Sequence, residues 1–246
     1  MEKKLIVFDF DGVVCDSTNE CMLTSYNAWL KFNNLNNYCH NLEEFSKVYK
    51  NNFQFLRPYV KSAGEYYVLH KILTEQRQIN VNHQTYEELC EKYKYNFFDF
   101  GKIFYKERDK MKEMNFKYWI SLHEIYNNVL ECMRKFYAES RLYIVTLKDG
   151  KSVMNILEAY NLKIDNQFLI DKSIIYKKID ALNMIVKNNY AEKKSMVFLD
   201  DNINHLIEPK KNGYDVFLTF WSNPLEEFKS MADFHKIPLL YNINDR

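Results

Sequence analysis

The sequence predicts an α/β protein: a doubly wound, Rossmann-like parallel sheet with an all-helical domain inserted after its first strand. Short, continuously apolar runs stand near both ends of the chain, while a long intervening stretch rich in Tyr, Phe, Asn and Lys has few of them. Continuous apolar strands are typical of a sheet that is covered on both faces. We therefore assign residues 1–16 and 126–246 to the α/β core and residues 17–125 to a helical cap.

Four strands are predicted in chain order: Leu5–Phe8, Leu142–Val145, Met196–Leu199 and Val216–Leu218. Apolar residues at helical spacing separate the last three. Strand and helix alternate from about residue 140 onward, as a doubly wound fold requires. The first run has four apolar residues, against roughly 7–15 in the core of a signal peptide, and is interpreted as a buried strand.

The inserted segment is predicted to be helical throughout. Ser17 followed by Glu20 has the spacing of a capping box and predicts where the first helix begins. Further helices are expected near Leu42–Tyr49, Glu65–Leu73, Tyr86–Tyr95 and Ile103–Met111. An insertion of this size after the first strand predicts a second domain that covers the active-site rim.

Composition narrows the function classes. The chain has 246 residues, and its 34 basic and 33 acidic side chains nearly cancel, which argues against a nucleic-acid partner. No apolar run approaches the roughly 18 residues needed to cross a bilayer. The five cysteines include no Cys-x-x-Cys pair. This pattern favours reduced thiols and a cytoplasmic protein.

Polar residues follow three of the strands and carry the candidate chemistry. In doubly wound sheets the ligand lies outside the carboxyl ends of the strands, where Asp9, Thr146 and Asp200-Asp201 are expected. Asp9 and Asp11 are two residues apart at a strand end, so both can face one reacting centre. A carboxylate nucleophile can form an aspartyl-phosphate.

Attack by a carboxylate on an anionic phosphate needs a compensating cation. Mg²⁺, held by carboxylates, water and the phosphate itself, fits that need. Asp201, or its neighbour Asp200, is the distant carboxylate that would complete the metal site with Asp9. Gly12 would let the backbone pass close to the phosphate.

These residues resemble the motifs of the haloacid dehalogenase (HAD) superfamily. Asp9-Phe10-Asp11-Gly12 resembles the first motif, Thr146 after a strand the second, Lys177 or Lys178 the third, and Asp200-Asp201 the acidic fourth. The motifs appear in order and span both ends of the chain. The insertion between the first two resembles a helical cap of the family's first (C1) type.

The resemblance implies a role for each matching residue. Asp9 would be the nucleophile and a Mg²⁺ ligand, and Asp11 the general acid/base that also lends its backbone carbonyl to the metal. Thr146 would bind the phosphate. Lys178, preferred over Lys177 for its spacing to the following apolar pair, would neutralise charge. Asp201 would be the second metal carboxylate.

Two departures from the family pattern concern the fourth motif. Asp200 stands where the family often has glycine, so the choice between Asp200 and Asp201 as the inner metal ligand stays open. His205 stands near the position of a later acid and is interpreted as a histidine on a helix surface.

In the cap, Arg57 beside Pro58 is the candidate that could read a leaving group through its planar guanidinium. The predicted function is a Mg²⁺-dependent phosphatase that hydrolyses a phosphate monoester of a small soluble metabolite. Asp11 favours phosphoryl chemistry, since dehalogenases resembling this chain lack an acid there. The alternatives are a phosphomutase of the same superfamily and a catalytically silent binding or regulatory protein.

Overall fold

The computed structural model describes residues 4–75, 80–222 and 224–245. They form two compact units. The core unit comprises the described residues of Met1–Asp16 and Glu124–Arg246, and the helical unit those of Ser17–His123.

The core unit contains a six-stranded parallel sheet. Its strands lie in the order β5-β4-β1-β6-β7-β8. The chain thus starts in the middle, builds one half outward, and returns beside β1 to build the other, which is the doubly wound arrangement that the sequence predicts. A separate antiparallel pair, β2 and β3, lies where the chain leaves the core unit and returns to it. The strands are β1 Leu5–Phe8, β2 Cys15–Asp16, β3 Glu124–Ile125, β4 Leu142–Val145, β5 Leu169–Ile170, β6 Met196–Asp200, β7 Asp215–Thr219 and β8 Leu239–Leu240.

Helices account for most of the remaining described residues. In the helical unit the α-helices are α1 Thr18–Phe32, α2 Lys47–Leu56, α3 Tyr66–Glu75, α4 His83–Tyr93, α5 Phe97–Met114 and α6 Phe116–Ser121; in the core unit they are α7 Asn127–Ala138, α8 Gly150–Ala159, α9 Lys178–Asn188, α10 Ile203–Lys211 and α11 Glu226–Phe234. Short 3₁₀ helices span Leu42–Glu44, Arg57–Tyr59, Ala63–Glu65, Lys94–Asn96, Asn166–Phe168, Lys193–Ser195 and Ile243–Asp245.

A buried apolar cluster fixes α9, α10 and α11 against one face of the sheet. Phe198 of β6 and Leu218 of β7 pack in this cluster with Leu182, Leu206 and Phe228 of the three helices. Full burial of such a side chain stabilises the fold by about 1.5–3 kcal/mol. This packing holds the first residue of α9 and the last residues of β6, which reappear in the candidate site.

Two interpretations of the inserted segment are wrong in detail. Ser17 precedes α1, but its side chain accepts no capping hydrogen bond. Glu20 instead lies fully buried and pairs with Arg108 of α5, with Nε–Oε1 and Nη2–Oε2 distances of 2.8 and 2.9 Å. The helix predicted over Leu42–Tyr49 is split, because Ser46 caps the start of α2 by accepting from the backbone N–H of Tyr49 at 3.1 Å.

No helix within the described ranges combines the length and apolar character needed to span a membrane.

Candidate active site

The strand order places side by side three strands whose carboxyl ends carry polar side chains. β1 lies between β4 and β6, so Asp9, which follows β1, is flanked by Thr146 after β4 and by Asp200 at the end of β6. The backbone N–H of Asp9 donates to the Leu199 carbonyl at 2.8 Å and continues the ladder to the edge. Parallel pairing thus brings together residues almost two hundred positions apart.

A buried lysine links two of these carboxylates. Lys178, the first residue of α9, lies with its Nζ atom 2.7 Å from Asp9 Oδ2 and 2.6 Å from Asp200 Oδ2. Its side chain is 3% exposed, whereas that of Lys177 is 68% exposed and contacts Glu208 at 3.7 Å. The structure therefore brings Lys178, and not Lys177, to Asp9.

The electrostatics of the three groups differ. Burial raises the pKa of Asp9 well above its usual range, Lys178 opposes that shift, and the neighbouring carboxylates of Asp200 and Asp201 reinforce it. Burial also opposes charge on Asp200, but Lys178 and His205 outweigh it and lower the pKa of Asp200 to about 2. Burial acts to lower the pKa of Lys178, and the two carboxylates reverse this and raise it. Of the two carboxylates that contact Lys178, Asp200 is thus the one whose ionised form its surroundings favour.

Both oxygens of Asp200 are engaged. Oδ2 contacts Lys178, while Oδ1 accepts from the backbone N–H of Asn202 at 2.9 Å and lies 3.3 Å from His205 Nδ1. His205 is accordingly no histidine of an open helix surface, because its ring contacts Asp200 and its side chain is only 17% exposed. Asp200 therefore holds Lys178 through one oxygen and the start of α10 and His205 through the other.

Asp201 lies against the turn that follows Asp9. Gly12 adopts φ +82°, and a Cβ on it would come within 1.9 Å of Asp201 Oδ2. Glycine is required here on both counts, for the left-handed backbone and for the close approach of the carboxylate. The sequence suggested that Gly12 lets the backbone approach a phosphate. It did not indicate that the Asp201 carboxylate lies beside this glycine.

Asp11 and Thr146 are connected through Lys148. The Lys148 ammonium lies 3.1 Å from Asp11 Oδ1, and its backbone N–H donates to Thr146 Oγ1 at 3.1 Å. Sequence reasoning missed Lys148. Its signal was its position two residues after a polar strand end, in the same rim as Asp9.

A divalent cation fits the donor set of this edge. Asp9, Asp11, Asp200 and Asp201 supply four carboxylates, and the two buried lysines, Lys148 and Lys178, pair with three of them. Two formal negative charges are left among these six side chains, and oxygen donors suit a hard cation such as Mg²⁺. Asp9, Asp200 and His205 also have ligand atoms within 4.8 Å of one another, and both oxygens of Asp200 already make other bonds.

Arg57 belongs to the helical unit. It begins the 3₁₀ helix Arg57–Tyr59, its Nη1 donates to the Val60 carbonyl at 3.5 Å, and its guanidinium lies 5.7 Å from the centre of the Tyr66 ring. Its role toward a leaving group stays a prediction.

Comparison with known proteins identifies the fold. No family model matches the sequence, and no curated protein matches it. Among solved structures, a protein from Bacteroides fragilis described as a haloacid dehalogenase-like hydrolase is similar over 99% of each chain, with a TM-score of 0.61 and 13% identity. A protein from Clostridium acetobutylicum described as a predicted phosphatase has a TM-score of 0.62 at 11% identity and covers 99% of this chain and 95% of its own.

A third structure, from Haemophilus somnus 129pt, is described as a predicted phosphoglycolate phosphatase. It has a TM-score of 0.58 and 18% identity, and the similarity covers 95% of this chain and 98% of that one. The similarity extends over nearly the full length of all three proteins. It confirms the predicted fold class, and the chain has the fold of the haloacid dehalogenase-like hydrolases.

Proposed function

We propose that the protein is a Mg²⁺-dependent phosphatase that hydrolyses a phosphate monoester of a small soluble metabolite through an aspartyl-phosphate on Asp9. The observation that carries this proposal is the buried Asp9–Lys178–Asp200 arrangement at the centre of the sheet edge. A carboxylate held by a buried ammonium beside a second acid suits attack on a phosphorus atom.

Asp9 would attack with its carboxylate while Lys178 holds one of its oxygens and thereby fixes its direction. Thr146 accepts the backbone N–H of Lys148, so its own O–H can donate to a phosphate oxygen. Lys178 would also offset negative charge that accumulates on the transferring phosphoryl group. Preorganised donors of this kind act without reorganisation during the reaction.

Asp9, Asp201 and the backbone carbonyl of Asp11 would hold the metal. When bound, Mg²⁺ would supply positive charge that offsets the repulsion of the attacking carboxylate by the phosphate, and it would favour the ionised form of Asp9. Asp200 would not bind the ion but would keep Lys178 in place.

Asp11 would act as general acid and then as general base. In the first step it would protonate the leaving-group oxygen, and in the second it would take a proton from the water that hydrolyses the aspartyl-phosphate. Asp11→Asn should therefore lower turnover by about 10²–10⁴-fold.

Small substrates follow from two considerations. The helical unit is proposed to act as a cap that encloses the reacting group, and two similar structures are described as phosphoglycolate phosphatases. A cytoplasmic location belongs to the same proposal, and the five free thiols fit a reducing compartment.

The proposal is tested by release of inorganic phosphate from p-nitrophenyl phosphate and a panel of phosphorylated metabolites. Activity should require Mg²⁺, disappear with EDTA, and not return with Ca²⁺, whose coordination is larger and looser. Asp9→Asn should leave no turnover, whereas the matched change at exposed Asp180 in α9, Asp180→Asn, should have no effect. Full activity in EDTA would refute the metal mechanism. Turnover that needs a bisphosphate activator and releases no phosphate would identify a phosphomutase.

A further inference from the structure

Two buried lysines contact different carboxylates of the candidate site. Lys178 contacts Asp9 and Asp200, while Lys148 contacts Asp11. The side chain of Lys148 is only 1% exposed, against 19% for Asp11. Burial of an ammonium carries a large desolvation penalty, so its presence on one side of the site requires an explanation.

The contact between Lys148 and Asp11 indicates that Lys148 lies near the leaving group of a bound substrate. If Asp11 protonates the leaving oxygen, that oxygen lies within hydrogen-bond reach of the Asp11 carboxylate, about 2.6–3.2 Å. Lys148 Nζ is 3.1 Å from Asp11 Oδ1. Two consecutive hydrogen-bond lengths keep the ammonium within about 6 Å of the leaving oxygen. Lys178, by contrast, contacts the nucleophile and serves the transferring phosphate.

The backbone of Lys148 and that of its neighbour are also hydrogen-bonded. Its N–H donates to Thr146 Oγ1, and the next residue, Asp149, caps α8 by accepting from Ser152 N–H at 2.9 Å. The ammonium is therefore presented from a fixed loop rather than from a free surface chain. An ammonium carries three N–H donors and can serve Asp11 and a substrate anion together.

We infer that Lys148 is a specificity-determining residue that pairs with a second anionic group on the leaving alcohol. The substrate would be a phosphate monoester whose alcohol bears a carboxylate or a second phosphate one or two carbons from the ester oxygen. A group at that distance from the ester oxygen falls within reach of the ammonium. The inference rests on the proposed phosphatase function and adds the chemical class of the leaving group.

The test compares wild type with Lys148→Met on three esters of closely similar size. Glycolate 2-phosphate carries a carboxylate on the leaving group, ethanediol bisphosphate carries a phosphate, and 2-hydroxyethyl phosphate is uncharged there. For each ester the ratio of kcat/KM between wild type and variant is taken, which removes differences in intrinsic leaving-group reactivity. The two anionic esters distinguish a carboxylate from a phosphate as the partner.

We expect Lys148→Met to lose about 10–100-fold more kcat/KM on one of the anionic esters than on the uncharged ester, as for a lost charge-assisted contact. Lys148→Arg, which keeps the charge, should recover part of that selective loss. Equal losses on all three esters would overturn the inference and make Lys148 a partner of Asp11 alone. Should Lys148→Met fail to fold, Lys148→Gln and the wild-type preference decide: no preference for either anionic ester contradicts the inference.

Failure of the proposed function is a different result. In that case wild type would release phosphate from none of the three esters, whether the leaving group is charged or not.

Discussion

At the scale of single residues, the two neighbouring acids of the fourth motif have separate surroundings. Asp200 is fully buried and bonded through both oxygens, and Asp201 lies against Gly12. The sequence predicted that one of the pair would be a metal ligand but could not choose, because adjacent residues at a strand end face different directions. The proposal of Asp201 as the ligand rests on the contact of Asp200 with Lys178 of α9, which is a tertiary feature.

The neighbouring lysines allow a sharp test of this arrangement. Lys178→Met should leave Asp9 and Asp200 buried together without an ammonium, and breaking such a pair costs about 3–5 kcal/mol of unfolding free energy. Phosphatase activity should be lost as well. Lys177→Met is the matched control, because Lys177 is 68% exposed and surface ion pairs contribute about 0–1 kcal/mol.

Denaturant unfolding and phosphate release measure both effects. A Lys178→Met/Asp200→Asn double variant should regain part of the stability, since one buried charge is removed, but not the activity. Equal unfolding free energies for Lys177→Met and Lys178→Met would contradict the claim that Lys178 stabilises the buried carboxylates of Asp9 and Asp200.

Substitutions at two glycines with similar backbone conformations distinguish the cost of a left-handed backbone from the cost of displacing Asp201. Gly12 and Gly213 have φ of +82° and +86°, but only Gly12 has a neighbour, since a Cβ on Gly213 would meet nothing within 4 Å. Gly213→Ala should therefore cost only the left-handed backbone term, about 1–2 kcal/mol. Gly12→Ala should add displacement of Asp201 and weaken the response to Mg²⁺.

Thermal unfolding and activity as a function of Mg²⁺ concentration compare the two variants. We expect a higher Mg²⁺ requirement for Gly12→Ala alone. The same Mg²⁺ dependence in both variants would mean that Asp201 is not a ligand.

At the scale of elements, buried polar side chains decide details that local patterns cannot. Glu20 has the spacing of a capping box, yet it is drawn to Arg108, 88 residues away. Strands β5 and β8 contain two residues each, too few to produce an apolar run, and only their pairing with β4 and β7 reveals them. The longer strands β1 and β4 begin and end where their apolar runs predict.

A buried histidine of α3 gives the helical unit a defined pH dependence. His70 is fully buried, its Nε2 lies 2.8 Å from Ser25 Oγ, and its Nδ1 lies 2.9 Å from the Tyr49 hydroxyl. Burial lowers the pKa of His70 from 6.5 to about 3. The ring is therefore neutral in the folded protein across most of the acidic range.

The direction in which pH changes the stability of the fold follows from proton binding by His70 in the folded and unfolded chains. Below pH 6.5 the unfolded chain binds a proton at His70 that the folded chain does not, so the stabilisation is complete above that pH and is lost as pH falls toward about 3. The slope from this group is about 1.4 kcal/mol per pH unit. His70→Gln should flatten the pH dependence of unfolding between these limits, and ring resonances of His70 that titrate near pH 6.5 would contradict the prediction.

At the scale of the whole molecule, the order of strands explains how distant residues meet. The alternation of apolar runs and helical spacing was enough to predict the doubly wound sheet, and parallel pairing then requires Asp9, Thr146 and Asp200 to share an edge. Lys148 was not foreseen because its one local signal, its position two residues after a strand end, is shared by solvated lysines. Its burial depends on the loop between β4 and α8.

The central claim is that Asp9 is the nucleophile, and the most direct measurement is the site of phosphorylation in an Asp11→Asn variant. That variant should still be phosphorylated, but it should hydrolyse the intermediate slowly because Asp11 no longer activates water. After brief incubation with p-nitrophenyl phosphate, intact-protein mass spectrometry should show the addition of one phosphoryl group, and peptide mapping should locate it on Asp9. A phosphoryl group on any other residue, or substantial turnover by Asp9→Asn, would contradict the account.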